Sequence, residues 1–296
     1  MRICERIRTM TDPVVTLSDF FDRHPRWVVL TGAGISAGSG IPTYRDRAGN
    51  WLGATPILHQ EFLQSQSKRQ RYWGRSMIGW PGVRNATPNQ HHHALVSFER
   101  AGRIEALITQ NVDRLHQRAG SEQVIDLHGR LDRVCCLDCG AGYERETIQK
   151  ELLQLNPHNT PGPSGARPDG DADLPEELVA RIRVPACAAC GGLLMPDVVF
   201  FGGVIPKNRV ASCERALTAA DAILVIGSSL QVYSGFRLCR QAVTQGKPLI
   251  IANEGITRAD DIATLKISEN ALDLVSSMLE QQGIPAPSNT YTANKA

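Results

Sequence analysis

Residues Leu107 to Gly129 read LITQNVDRLHQRAGSEQVIDLHG. One apolar run, Ile104 to Ile108, leads into this stretch and a second, Val124 to Leu127, closes it; each has the length of a buried strand. Each run stops at a polar cluster. Thr109-Gln110-Asn111-Val112-Asp113 follows the first and His128-Gly129 the second. In an open α/β sheet, ligands bind beyond the carboxyl ends of the strands. An amide pair, a carboxylate and a histidine are therefore expected to face one crevice.

The flanking chain repeats the pattern. Upstream, Trp27 to Leu30 is an apolar strand ending in Thr31. It is followed at once by Gly32-Ala33-Gly34-Ile35-Ser36-Ala37-Gly38-Ser39-Gly40. Glycines between a strand and a helix let the backbone approach a pyrophosphate, and the helix start offers N–H donors. Ile41-Pro42-Thr43-Tyr44-Arg45 then turns out of the helix with an aromatic and a cation able to cover a ligand. The spacing is G-x-G-x-x-x-G, and no strand ending in an acid follows at dehydrogenase distance. Hydride transfer is excluded on those two counts. Downstream, Ala222 to Ile226 ends in Gly227-Ser228-Ser229, and Pro248 to Ala252 ends in Asn253-Glu254-Gly255. Leu265 to Ile267 reads as a last strand, Ala271 to Glu280 as a last helix. Strands alternating with helices define an α/β fold, a doubly wound parallel, Rossmann-like sheet.

Two segments interrupt it. Residues 48–88 hold Trp51, Phe62, Tyr72, Trp73 and Trp80 and read as a helical insertion. Tyr72 and Arg75, three apart, share a helix face. They are either a grip for a carboxylate or a solvated arginine beside a half-buried tyrosine. Residues 131–194 carry Cys136-Leu137-Asp138-Cys139 and Cys187-Ala188-Ala189-Cys190. Two C-x-x-C knuckles are the pattern of a tetrahedral structural Zn2+ site. Between them, 156–173 is rich in Pro, Gly and Asp and reads as an exposed loop. The parallel-sheet domain is accordingly expected over 12–47, 89–130 and 195–284, with a disordered tail at 285–296. Consecutive His91, His92 and His93 point in different directions on a helix, which argues against a metal there.

Bulk properties narrow the partners. The 296 residues carry a net charge of +2, so neither nucleic acid nor a membrane surface is favoured electrostatically. No apolar run reaches the ~20 residues of a membrane span. The first ten residues lack the apolar core of a secretory signal. A cytoplasmic setting is expected, the mitochondrial matrix being the alternative.

Taken together, GAGIS-x-x-SGIP (Gly32–Pro42), TQNVD (Thr109–Asp113), LHG (Leu127–Gly129), PDVVFFG (Pro196–Gly202), GSSLQVY (Gly227–Tyr233) and the cysteine pairs resemble the sirtuins. RYWGR-x-x-x-GWP at Arg71–Pro81 is most similar to their class II branch, which includes the mitochondrial type-4 sirtuin and bacterial relatives. The resemblance implies an NAD-dependent protein-lysine deacylase acting on acyl-lysine proteins or peptides. The acyl oxygen would attack the nicotinamide ribose and expel nicotinamide. A base would then free the 2′-hydroxyl, and water would release lysine and O-acyl-ADP-ribose. It implies that Gly32, Ala33, Gly34, Ile35, Ser36, Gly40, Ile41, Pro42, Thr43, Tyr44 and Arg45 hold the pyrophosphate and cover the nicotinamide. Gln110, Asn111 and Val112 would hold its ribose and a water, and Asp113 the carboxamide. Asn111 and His128 would be catalytic, His128 as general base with the ordinary pKa of ~6.5. Gly227, Ser228, Ser229, Asn253, Glu254, Gly255 and Ala271 would bind the adenosine half. Val199, Phe200, Phe201 and Gly202 with Gln231, Val232 and Tyr233 would clamp the peptide as a strand. Two positions depart from the family: Thr43 and Gly203 stand where an acid is usual. The same chemistry leaves mono-ADP-ribosyl transfer as an alternative, and a non-enzymatic NAD-sensing scaffold as another.

Overall fold

The computed structural model describes residues 13–52, 56–158, 170, 172, 174–268, 273, 277, 283 and 284. Ala271, the tail at 285–296 and most of the 156–173 loop lie outside these residues. Of the helix expected over 271–280, Asp273 and Ser277 are described, and both are helical.

In chain order, α1 (Pro13–Arg23) leads to β1 (Trp27–Thr31) and a 3-10 helix (Ala33–Ser39). Next come α2 (His59–Gln64), α3 (Gln66–Asn85), α4 (Gln90–Arg100), β2 (Ile104–Thr109), α5 (Leu115–Ala119) and β3 (Val124–Asp126). Then follow β4 (Gly129–Cys136), β5 (Gly142–Glu144), α6 (Arg145–Leu155), α7 (Glu176–Val179) and β6 (Leu194–Val198). After these run α8 (Lys207–Ala219), β7 (Ala222–Ile226), α9 (Tyr233–Thr244), β8 (Leu249–Ala252) and β9 (Leu265–Ile267).

The runs WVVLT, AILVI and LIIA are buried at every position. Such sequences suit strands covered on both faces. They form the centre of a parallel sheet of order β3-β2-β1-β7-β8-β9. Side chains alternate across it. Trp27, Val29, Leu107, Leu224 and Ile250 pack with Leu17, Phe21, Leu95 and Phe98 of α1 and α4. Val28, Leu30, Ile223, Val225 and Ile251 pack with Cys213, Leu217, Leu238 and Cys239 of α8 and α9. The strand order reverses between β1 and β7, so a crevice opens at their carboxyl ends. Gly32 and Gly227 stand at those two ends.

A second sheet, β5-β4-β6, is antiparallel. Here the structure corrects the sequence reading, which returned the chain to the large sheet from residue 195. β6 pairs with β4, and the next strand of the large sheet is β7. An apolar run shows that a strand is buried but not which partner buries it. The helical insertion and the small sheet also share one core. Phe62, Trp73 and Met77 pack with Val134, Ile148, Leu152, Leu194 and Phe200. Arg145 of α6 pins α3 from within, lying 5.5 Å from the Trp73 ring and 5.3 Å from the Trp80 ring. Its Nη2 donates to the Ser76 carbonyl at 3.2 Å and to Ser76 Oγ at 3.1 Å.

Candidate active site

The crevice is a cavity of about 670 Å³, within the range of small-molecule and cofactor sites. Its floor is made by two strand ends in backbone contact. Gly34 N donates to the Gly227 carbonyl at 2.8 Å. A Cβ on Gly34 would lie 2.8 Å from Gly227 Cα. Gly227 has φ +61°, and its own Cβ would meet Ile35 N at 2.5 Å. No other residue type permits this approach.

Of the expected cofactor residues, Gly32, Ala33, Gly34, Thr43, Tyr44, Arg45, Gln110, Asn111, Val112, Gly227, Ser228, Ser229, Asn253, Glu254 and Gly255 line the cavity. Ile35, Ser36, Gly40, Ile41, Pro42 and Asp113 do not. The glycine loop continues as a short 3-10 helix, and Ile35 and Ser36 are buried beneath it. Asp113 is also buried, at 7% exposure. Its two oxygens accept from Ser36 Oγ at 2.7 Å and Leu115 N at 2.9 Å. The carboxylate expected on a nicotinamide carboxamide is thus engaged below the cavity wall, holding the glycine loop. Burial raises its pKa, against the lowering effect of those two bonds. Asn111 Nδ2 donates to the Gly32 carbonyl at 3.0 Å and Ser36 Oγ at 3.1 Å. Gln110 Oε1 accepts from Ser228 Oγ at 2.6 Å, joining the ends of β2 and β7.

The segment after the glycine loop folds over the opening. Thr43 Oγ1 donates to the Arg45 carbonyl at 2.9 Å, and Arg45 Nη1 donates to the Gly49 carbonyl at 2.8 Å. The Arg45 guanidinium lies 4.9 Å from the Trp51 ring. The hydroxyl and the aromatic thus order this turn where an acid is usual in the family. Arg47 reaches across to Glu254 at 2.6 Å.

His128 follows β3. Gly129, with φ +88°, brings it against β6: a Cβ there would lie 2.1 Å from the Asp197 carbonyl oxygen. Val199 N donates to the His128 carbonyl at 2.8 Å. The ring lies 3.0 Å by Nδ1 from the Gln110 carbonyl and 2.7 Å by Nε2 from Ser234 Oγ. A carbonyl only accepts, so Nδ1 carries the proton and Nε2 presents its lone pair. Burial pulls this pKa down to about 4, outweighing the upward pull of the Gln110 bond. The ordinary value expected from sequence is therefore corrected, and the ring is a neutral base at pH 7.

Tyr72 and Arg75, both on α3, also line the cavity. Arg75 is not the solvated cation of the bland reading: it is 5% exposed, and its Nε donates to the Ala172 carbonyl at 2.8 Å. Tyr72 packs on Phe62, Trp73 and Phe200. Val199, Phe200, Phe201, Gly202, Gln231, Val232 and Tyr233 all line the same cavity. His59 N donates to the Phe201 carbonyl at 2.9 Å, fixing Phe201 to α2. Gly203 N closes a turn onto the Phe200 carbonyl at 2.9 Å.

The Sir2 family profile matches residues 32–234. The NAD-dependent protein deacetylase of Xanthomonas campestris pv. campestris is 49% identical over 285 residues, 96% of each chain. The chain belongs to the Sir2 family. NAD-dependent protein deacetylase 2 of Bradyrhizobium diazoefficiens is 51% identical over 86% of this chain and 93% of its own. A solved Sir2–p53 peptide–NAD+ complex aligns with TM-score 0.74 and 32% identity, over 91% of this chain and 98% of that one.

As a Sir2-family member the chain has a metal site to be tested, and its cysteines pass. The sulfurs of Cys136, Cys139, Cys187 and Cys190 all lie within 4.8 Å of one another. Cys136 and Cys190 are 3.5 Å apart, Cys139 and Cys187 3.7 Å. A tetrahedron of sulfurs around zinc at ~2.3 Å has edges of about 3.8 Å. Four thiolates give a closed, structural coordination set. Cys135 stands apart, its sulfur 3.5 Å from the Met195 carbonyl.

Sequence reasoning missed Ser234, which holds His128 Nε2, and Arg47, Trp51 and Ile256 on the cavity wall. Ser234 directly follows the GSSLQVY motif, and only the start of α9 turns it toward His128. The triple histidine resolves into one buried ring, His92, whose centroid lies 4.8 Å from that of His116 with the planes tilted by 57°.

Burial holds three histidines neutral: His92 at a pKa of about 2, His116 at about 3 and His128 at about 4. Above pH ~6.5 both folded and unfolded chains carry them uncharged. Below it, the unfolded chain takes up protons that the folded chain refuses, so stability falls with pH. Each group contributes about 1.4 kcal/mol per pH unit, and the three together roughly 4 kcal/mol per unit near pH 5. Denaturant titrations at pH 7, 6 and 5 are expected to show this steepening loss. A flat profile would show that the rings charge freely.

Proposed function

We propose that this protein is an NAD-dependent protein-lysine deacylase, converting an acyl-lysine and NAD to lysine, nicotinamide and O-acyl-ADP-ribose. One observation carries the reading. A neutral imidazole with its Nε2 lone pair available shares a cavity with Gln110, Asn111 and the glycine ends of β1 and β7. NAD, when bound, supplies the electrophilic ribose carbon and the nicotinamide leaving group.

The chain's own residues do the rest. Gly32, Gly34 and Gly227 expose backbone to a pyrophosphate, and Ser228, Asn253 and Gly255 line the end suited to adenosine. Tyr44, Arg45 and Trp51 exclude water above the ribose. Asn111 and Gln110 orient the reacting groups, and His128 Nε2 accepts the hydroxyl proton after Ser234 yields its place. His128 Nδ1–H stays on the Gln110 carbonyl and fixes the tautomer. Peptide main chain enters between 199–202 and 231–233 as an added strand. Cys136, Cys139, Cys187 and Cys190 would hold zinc, which would tie the small sheet together as a structural ion. A reducing, cytoplasmic setting keeps the four thiols available for it. A panel of acyl-lysine peptides assayed with NAD for lysine and nicotinamide release tests this reading. Nicotinamide release without lysine release would favour ADP-ribosyl transfer, and neither would favour a scaffold.

Tyr72 and Arg75 extend the reading to the acyl group. A buried guanidinium and a phenol on the cavity lining suit an acyl chain ending in a carboxylate. A hydrogen bond to a charged partner is worth about 1.5–3 kcal/mol. Arg75→Met is therefore expected to lower kcat/KM on succinyl- or methylglutaryl-lysine about 10- to 100-fold and to spare acetyl-lysine within about threefold. Equal loss on both would remove the assignment.

A further inference from the structure

One buried cation stands directly behind the cavity lining without a counter-ion. Arg145 of α6 is 1% exposed and does not line the cavity itself. Among the described residues it makes no ion pair, and its Nη1 is buried without a hydrogen-bond partner. Glu146, next in the chain, turns instead to Arg84 and to Trp80 Nε1, at 3.4 Å each. The rings of Trp73 and Trp80 flank the guanidinium at 5.5 Å and 5.3 Å. Burial lowers the Arg145 pKa only to about 10, so the group is charged at pH 7. Its bonds to α3 come from Nη2 and all go to Ser76, the carbonyl at 3.2 Å and Oγ at 3.1 Å.

Ser76 in turn lines the cavity beside Arg75 and is 4% exposed. A hydroxyl holds one proton and can also accept. Ser76 Oγ accepts from Arg145, and among the described residues its own proton meets no acceptor. A guanidinium bonded to the oxygen polarises the O–H and makes it a stronger donor. A buried charge without a partner also projects a poorly screened positive field. Both effects favour an anionic acceptor on the cavity side of Ser76. We propose that Ser76, backed by Arg145, is a further acyl-recognition residue whose hydroxyl donates to the terminal carboxylate of an acidic acyl-lysine. The inference rests on the deacylase reading, with the acyl group reaching the α3 lining. Arg145 Nη2–H donates to Ser76 Oγ, and Ser76 O–H donates to the carboxylate. Ser76 touches the substrate, and Arg145 is a positioning residue that acts through it. An apolar acyl group of the same length leaves the Ser76 proton unmatched and the Arg145 charge uncompensated, so the pair discriminates between the two.

Succinyl- and glutaryl-lysine peptides compared with butyryl- and valeryl-lysine peptides of equal chain length test this in the full-length protein with NAD. The readout is the ratio of kcat/KM between acidic and apolar acyl groups, because a folding defect lowers both alike. Ser76→Ala is expected to cut that ratio about 10- to 100-fold, the size of a hydrogen bond to a charged partner, with the apolar substrates within about threefold. Arg145→Gln is expected to cut it in the same direction, and Arg145→Lys, which keeps the charge, to cut it less. Arg145→Gln should act more weakly in the Ser76→Ala background than in the wild type, because the two residues are coupled. A ratio left unchanged by Ser76→Ala, equal losses on both substrate classes, or equal effects of Arg145→Gln in both backgrounds overturns the assignment. A ratio moved by Arg75→Met and not by Ser76→Ala leaves the carboxylate to Arg75 and also overturns it. If the wild type releases lysine from none of the peptides, the deacylase reading falls. Calorimetric binding of the succinyl and butyryl peptides to wild type and Ser76→Ala then decides the contact. Selective weakening of the succinyl peptide supports it, and equal weakening or no binding of either overturns it.

Discussion

Replacing His128 with glutamine is expected to lower lysine release about 10²- to 10⁴-fold, the usual contribution of a positioned general base. The amide keeps a donor for the Gln110 carbonyl, which His128 Nδ1 meets at 3.0 Å, but offers no basic nitrogen toward Ser234. The loss should be selective. Departure of nicotinamide needs alignment and electrostatics, whereas the following attack by the ribose hydroxyl needs a base. Exchange of labelled nicotinamide into NAD is therefore expected to survive at about a tenth of the wild-type rate or better. Loss of exchange and lysine release in equal measure would mean that His128 holds the site together instead of moving a proton. Because burial has already lowered its pKa to about 4, the acid limb of the rate profile should lie well below 6.5.

Metal removal should have the largest effect on stability. Cys136 and Cys187 are each 3% exposed and belong to the core shared by the small sheet and the α3 insertion. The four thiols lie within 4.8 Å of one another, and among the described residues the Tyr143 hydroxyl, 3.0 Å from Cys187 Sγ, also reaches the cluster. Structural zinc sites contribute about 10 kcal/mol or more to folding in small domains. Even half of that would lower the thermal midpoint by roughly 10–20 °C at this size. One zinc per chain is expected, and both chelation and Cys187→Ser should abolish activity with that thermal shift. The loss of activity would be indirect. β4 and β6 carry Gly129 and Val198, and with them the seat of His128 against the 199–202 wall. A metal-free protein with an unchanged midpoint would show that the cluster does not bind a structural ion.

Much of the site is legible in the chain. Strand runs buried on both faces, each followed at once by Gly, Ser, Asn or His, fix the class of sheet and the edge at which a ligand binds. That is local physics, because a β-branched apolar run and a glycine each impose a conformation whatever surrounds them. The two C-x-x-C turns are equally local, since each pair of sulfurs is set by one tight turn. The sequence by itself therefore determined the parallel sheet, the crevice, and the candidacy of the two cysteine pairs and of His128. The tertiary structure decided what depends on distant neighbours. It gave β6 to β4, turned Asp113 beneath the wall onto Ser36, and buried Arg75. It also brought Ser234 to His128 across 106 positions of chain. A side chain's tautomer, pKa and partner are set by desolvation and by the groups that arrive from elsewhere in the chain, and no short-range pattern encodes them.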